Sequence, residues 1–145
     1  MKHLTLAAVL ALLSAPAFAE SHASGDAAAG EEQFNRQCVA CHVVVNDAGE
    51  TLAGRNARTG PNLFNLVNRG VAQAPDFDYG ESLLEIGARG DMWTEEEFVG
   101  YVQDPTGWLR EQLDDRRARG KMAYQVRAEE DAINLYAYLA QFTAE

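Results

Sequence analysis

Lysine is almost missing from this chain of 145 residues: Lys2 and Lys121 stand beside ten arginines. The 22 acidic residues leave a net charge of −10. That balance excludes nucleic acid as the default partner, since phosphate binding needs a basic surface. Cysteine is equally scarce, with only Cys38 and Cys41. Two cysteines so close together do not staple a fold, because the loop they close is too short to constrain the unfolded chain. Nor do they make a structural zinc site, which needs four ligands; no second cysteine pair or histidine cluster is present. Long apolar runs are absent apart from residues 4–13, well short of the ~20 residues that span a bilayer. Internal repeats and low-complexity tracts are also missing. What remains, 47% apolar and 9% aromatic, is the composition of one compact domain.

Met1-Lys2-His3, the apolar run and Ala17-Phe18-Ala19 together read as a secretory signal peptide, residues 1–19, cut before Glu20. An uncleaved anchor is the alternative. Residues 20–25 form a polar tail, and residues 26–145 form the domain. Loss of Lys2 takes the net charge from −10 to −11.

His42 follows Cys41 directly, so the chain carries Cys38-Val39-Ala40-Cys41-His42. A thioredoxin-like dithiol would need a strand before the motif and a βαβ framework after it. The segment before Cys38 looks helical instead, and strand signals are weak throughout. The pattern is that of a c-type haem attachment site: two thiols form thioethers, and the adjacent imidazole binds iron. His3 leaves with the signal and His22 lies in the tail, so His42 is the proximal candidate. The sixth ligand must come from far along the chain. Met92 precedes Trp93 and a helix start, which reads as core packing. Met122 lies in a loop after Gly120 and is preferred over Met92 or an open position. His/Met ligation raises the reduction potential and closes the iron to small molecules.

The rest reads as an all-α domain of four or five short helices and long loops. Asp26 caps a helix whose face carries Ala27, Gly30, Phe34 and Cys38. Residues 43–68 are turn-rich and read as loop with at most one short helix. Ser82-Leu83-Leu84-Glu85 and Thr94-Glu95-Glu96-Glu97 are capping boxes that open two helices. Asp104-Pro105 ends the second and starts a third. A last helix begins at Ala128, with Ala132, Leu135, Leu139 and Phe142 as its apolar stripe. So much loop leaves a thin protein core, and a buried haem would supply the missing apolar mass.

From Gly30 to Phe142 these motifs resemble a class I c-type cytochrome of the cytochrome c2 type, which is similar to mitochondrial cytochrome c. The resemblance implies the class I cytochrome c fold around one covalent haem c. Thr59-Gly60-Pro61-Asn62-Leu63 resembles the segment whose proline carbonyl accepts the proximal imidazole N–H, here Pro61 and His42. Residues 74–80 resemble the loop beside the haem propionates, with Arg69, Tyr79 and Trp93 as the groups that bond them. Tyr101 matches the tyrosine near the methionine sulfur, and Gly120-Lys121-Met122 the axial methionine loop. Gly30, Phe34, Leu135 and Tyr138 match the contact between first and last helices. Taken singly, Arg69 reads as a solvated charge, the aromatics as core and Pro61 as a turn. Their order around one motif makes them site candidates.

The implied function is one-electron transfer in the periplasm, not catalysis. A monomer without a membrane span would carry electrons from a cytochrome bc-type complex to a photosynthetic reaction centre or terminal oxidase. The competing functions are a haem enzyme or gas sensor with a displaceable sixth ligand, and a haem module docked on a larger complex. Charge separates along the chain. Residues 76–97 hold eight acids against Arg89, whereas residues 105–127 hold six cations against three acids. The expectation is a modestly basic face formed by Arg116, Arg117, Arg119 and Lys121, and an acidic back.

Overall fold

A computed structural model describes residues 23–67 and 69–144. The signal segment and residues 20–22 of the tail lie outside the described residues.

Asp26 opens the first helix, α1 (Ala27–Gln33). Its Oδ1 accepts from the Ala28 and Ala29 N–H groups at 2.8 and 3.2 Å, pairing donors that a helix start leaves free. The helix then widens into a π-helical turn, Phe34–Cys38, in which the Val39 N–H reaches the Phe34 carbonyl at 3.3 Å. Such turns re-aim side chains and recur at functional sites. The Cys41 and His42 N–H groups both donate to the Cys38 carbonyl, at 3.1 and 2.9 Å. The turn therefore gathers Cys38, Cys41 and His42 within one short reversal.

The segment expected to be loop contains a hairpin, β1 (Val43–Val45) against β2 (Thr51–Gly54), paired antiparallel. Three consecutive valines favour a strand. Asn46 closes the turn, its Oδ1 accepting from the Ala48 and Glu50 N–H groups at 3.1 and 2.9 Å. Gly49 supplies the positive φ of 80°. The segment is too short to show alternation, which hid it from periodicity.

Helix α2 (Glu81–Ala88) corrects a second expectation. Its N-cap is Gly80, without a side-chain bond. Ser82 lies inside the helix, and its Oγ accepts the N–H of distant Arg119 at 3.1 Å. The other starts are as expected. Thr94 Oγ1 accepts from Glu97 N–H at 3.2 Å and opens α3 (Glu95–Gln103). Asp104 Oδ1 accepts from Gly107 N–H at 3.0 Å and opens α4 (Pro105–Leu113), with Pro105 at its first position. Helix α5 (Glu129–Leu139) follows Ala128, and three acids in its first turn suit the helix dipole.

The α1–α5 crossing organises the core. A Cβ on Gly30 would collide with the Asn134 carbonyl and stand 2.8 Å from Tyr138 Cβ. The Phe34 ring tilts against Tyr138 with centroids 5.5 Å apart. Ala132, Leu135 and Leu139 are buried, with Phe142 packed at the edge of the same cluster. From α5, Tyr136 O–H donates to the Trp93 carbonyl at 3.2 Å. Met92, expected in the core, is instead exposed and meets Gly70 through its backbone. Among the described residues no helix is long and apolar enough to cross a membrane.

Gly30→Ala is expected to destabilise the fold by about 1–3 kcal/mol, since the backbone of α5 blocks the new methyl. Denaturant unfolding measures it; a change within about 0.5 kcal/mol would remove the close crossing as a constraint.

Candidate functional site

The interior holds a cavity of about 580 Å³ between the Cys38–His42 turn, the α3–α5 core and the loop that joins α4 to α5. All nine residues singled out in the sequence line it: Cys38, Cys41, His42, Pro61, Arg69, Tyr79, Trp93, Tyr101 and Met122. Met92 is not among the lining residues. Phe34, Leu66, Leu83, Leu135 and Leu139 supply apolar wall.

The imidazole is the most constrained group. His42 Nδ1 lies 2.9 Å from the Pro61 carbonyl. A carbonyl only accepts, so Nδ1 carries the proton and Nε2 keeps its lone pair. Burial lowers the His42 pKa, against a smaller opposing effect from the Pro61 bond. Burial, the larger effect, favours the neutral ring, the form that binds metals, and the Pro61 bond decides which nitrogen is left bare.

The hairpin places Pro61. Asn62 Nδ2 donates to the Val45 carbonyl at 2.7 Å, and its Oδ1 accepts the Val45 N–H at 3.0 Å. Leu63 N–H donates to the Val43 carbonyl at 2.9 Å. Residues 60–63 are thereby laid along β1, and Gly60 N–H donates to the Cys41 carbonyl at 2.7 Å. Gly60 packs so closely that a Cβ there would collide with the His42 ring at Cε1 and stand 2.6 Å from Nδ1. Sequence reasoning quoted both residues inside a motif without assigning them work. The requirement for glycine at 60 depends on a ring that is far away in the chain.

The polar wall is less symmetrical. Arg69 donates from Nη1 to the Phe64 carbonyl and from Nη2 to the Asn62 carbonyl, each at 2.8 Å. Its Nε is buried without a partner. Burial lowers the Arg69 pKa without discharging the guanidinium. The Tyr79 hydroxyl oxygen accepts from Ala74 N–H at 3.1 Å, so its own proton remains available. Burial raises the Tyr79 pKa, while Ala74 and Arg69 pull the other way. Trp93 and Tyr101 tilt together with centroids 5.2 Å apart, and burial, then Tyr79, pushes the Tyr101 hydroxyl up to about 12. Burial, then the neighbouring Cys41, pushes the Cys38 thiol up to about 11.

These features fit a large, planar, partly polar iron cofactor. The cavity is the size of a cofactor site, the ring is pre-set as a ligand, and the orphan Arg69 Nε awaits an acceptor. The helical fold, the Cys-x-x-Cys-His turn and the cavity define a class I cytochrome c. The comparisons agree. A family model described as "Cytochrome C oxidase, cbb3-type, subunit III" matches residues 25–88. The chain is 59% identical to cytochrome c2 of Rhodovulum adriaticum, covering 81% of this chain and 92% of the relative. It is 50% identical to cytochrome c2 of Cereibacter sphaeroides, over 94% of this chain and 92% of the relative. The crystal structure of Rhodobacter sphaeroides cytochrome c2 superposes with a TM-score of 0.79 at 51% identity, covering 82% and 97% of the two chains. The chain belongs to the cytochrome c2 family. It is a haem c electron carrier.

Gly60→Ala is expected to cost about 1–3 kcal/mol of stability through overpacking and to shift the His42 Nδ1–H proton resonance. An NMR spectrum with that resonance unmoved would break the link between Gly60 and the ring.

Proposed function

We propose that the cavity holds one haem c, which Cys38 and Cys41 would attach covalently and whose iron His42 Nε2 and Met122 Sδ would bind. The bound group supplies an iron that takes up and releases one electron, cycling between ferric and ferrous. The observation that carries this reading is the His42–Pro61 hydrogen bond, which leaves Nε2 bare in a cavity shared with both thiols and the Met122 thioether. Pro61 fixes the tautomer and orientation of the ring. Arg69 Nε, the Tyr79 hydroxyl and Trp93 Nε1 would donate to the propionates. Tyr101 shares the cavity lining with Met122. With His42 and Met122 both holding it, the iron would be closed to substrates, and the task of this chain would be to keep the geometry constant.

The same reading places the protein in the periplasm after cleavage behind Ala19, with the domain spanning residues 26–145. There the protein works as a monomer, with a cytochrome bc-type complex as donor and a photosynthetic reaction centre or terminal oxidase as acceptor. The family and the Ala17-Phe18-Ala19 signature support it. In the ferric protein, Met122→Leu is expected to abolish the Met–iron absorption band. It should also lower the reduction potential by on the order of 0.1 V, within the ~0.8 V range that axial ligands command. Met92→Leu should leave both unchanged. A Met122→Leu spectrum like that of the parent protein defeats the assignment.

The basic face is weaker than its cation count. Lys121 Nζ lies 2.7 Å from Asp78 Oδ2, and Arg117 Nε 3.5 Å from Asp115 Oδ1. Arg116 and Arg119 remain exposed beside the cavity loop. Steering by this face is therefore modest. The bimolecular rate with the native acceptor is expected to fall no more than about threefold from low to physiological salt, by stopped-flow measurement. A rate that rises with salt would show that the acidic regions dominate the encounter.

A further inference from the structure

The cavity loop, residues 114–128, is long and irregular, running from the left-handed Asp114 (φ 49°) to the start of α5. Loops of this length without secondary structure open at low cost unless something ties them. The ties here are concentrated just before Met122. Ser82 Oγ of α2 accepts the Arg119 N–H at 3.1 Å, and Thr106 Oγ1 of α4 accepts the Gly120 N–H at 3.2 Å. Arg110 Nε donates to the Ala118 carbonyl at 3.2 Å. Gly120 sits close on Pro105, where a Cβ would stand 3.2 Å from the proline Cβ. Beyond Met122, Val126 N–H donates to the Val102 carbonyl at 2.8 Å, and Gln125 Nε2 to Asp104 Oδ1 at 3.2 Å. Met122, Ala123 and Tyr124 bridge the space between the two sets of anchors.

Ser82 is the informative member. Its tetrapeptide reads as a capping box, yet α2 has no side-chain cap and the hydroxyl serves the loop. Thr106 likewise lies inside the first turn of α4, where Asp104 already supplies the cap. Two helices thus each lend a hydroxyl to consecutive backbone N–H groups of one strand of chain. A hydroxyl that accepts from a loop N–H offers the loop a bond it would otherwise make with water. Opening must break both bonds together.

We infer that Ser82 and Thr106 are a pair of positioning residues that clamp residues 119–120 and hold Met122 in the cavity, setting how readily an external ligand replaces it. The clamp rests on Met122 being an axial ligand, the reading given above. Neither hydroxyl touches the cofactor site; both act through the loop backbone.

The test uses the ferric holoprotein with imidazole as the external ligand, followed by loss of the Met–iron band. Ser82→Ala and Thr106→Val are each expected to raise imidazole affinity about two- to tenfold, the range of one net hydrogen bond. The double variant should exceed either alone, and Ser82→Thr should restore parental affinity. Amide hydrogen exchange at residues 119–124 should accelerate in the same order. Thr94→Ala, which removes the α3 cap and no bond to the loop, controls for general loosening: it should lower the unfolding midpoint without changing imidazole affinity. Unchanged affinity in the double variant, or an equal rise in Thr94→Ala, would overturn the clamp. A Met122→Leu protein with the parental spectrum would instead overturn the ligand assignment. The exchange rates at Arg119 and Gly120 still report on the clamp in that case.

Discussion

A half-buried imidazole that must keep one nitrogen bare is the constraint around which this molecule is built. His42 cannot choose its tautomer alone; the Pro61 carbonyl 2.9 Å from Nδ1 does that. Pro61 in turn cannot hold its place without β1, to which Asn62 and Leu63 are bonded. The hairpin, the glycine at 60 and the π turn that delivers Cys38 are all consequences of presenting one ring at one angle. In ligand sites the groups behind the ligand commonly decide its orientation and basicity.

The cavity is built into the hydrophobic core. Phe34, Leu135 and Leu139 pack the α1–α5 crossing on one side and line the cavity on the other. Apolar side chains that face a cofactor bury their surface against it, so the bound group contributes to stability as well as to chemistry. The polar atoms follow the same logic. Arg69 satisfies two backbone carbonyls and keeps Nε free, so one side chain both ties a loop and offers a donor to the site.

Charge is distributed by contact more than by count. The net −10 conceals a cavity rim that carries Arg119 and Lys121. Yet Lys121 is paired with Asp78 across 43 residues of sequence. Exposed pairs of this kind contribute little to stability, but they cancel field at the cavity rim. The rim keeps its shape and apolar character while losing part of its steering.

Local chemistry was readable from the chain itself. Asp26, Thr94 and Asp104-Pro105 start helices because their bonds close within three residues. Cys38, Cys41 and His42 are legible as a haem-attachment motif because they lie within five residues of one another. The stripe of Ala132, Leu135 and Leu139 repeats with the helix turn. Cys38, Cys41, His42 and Met122 came from the motif and its surroundings, the other five candidates from the resemblance to a class I cytochrome c, and the fold gathers all nine around one cavity. Tertiary structure alone decided the rest. The Ser82 hydroxyl left its own helix for Arg119, Asn62 bonded to Val45, and glycine was required at 60 by a ring 18 positions away. Each outcome depends on which distant backbone group arrives within about 3 Å, and that is settled only when the helices and the hairpin have packed.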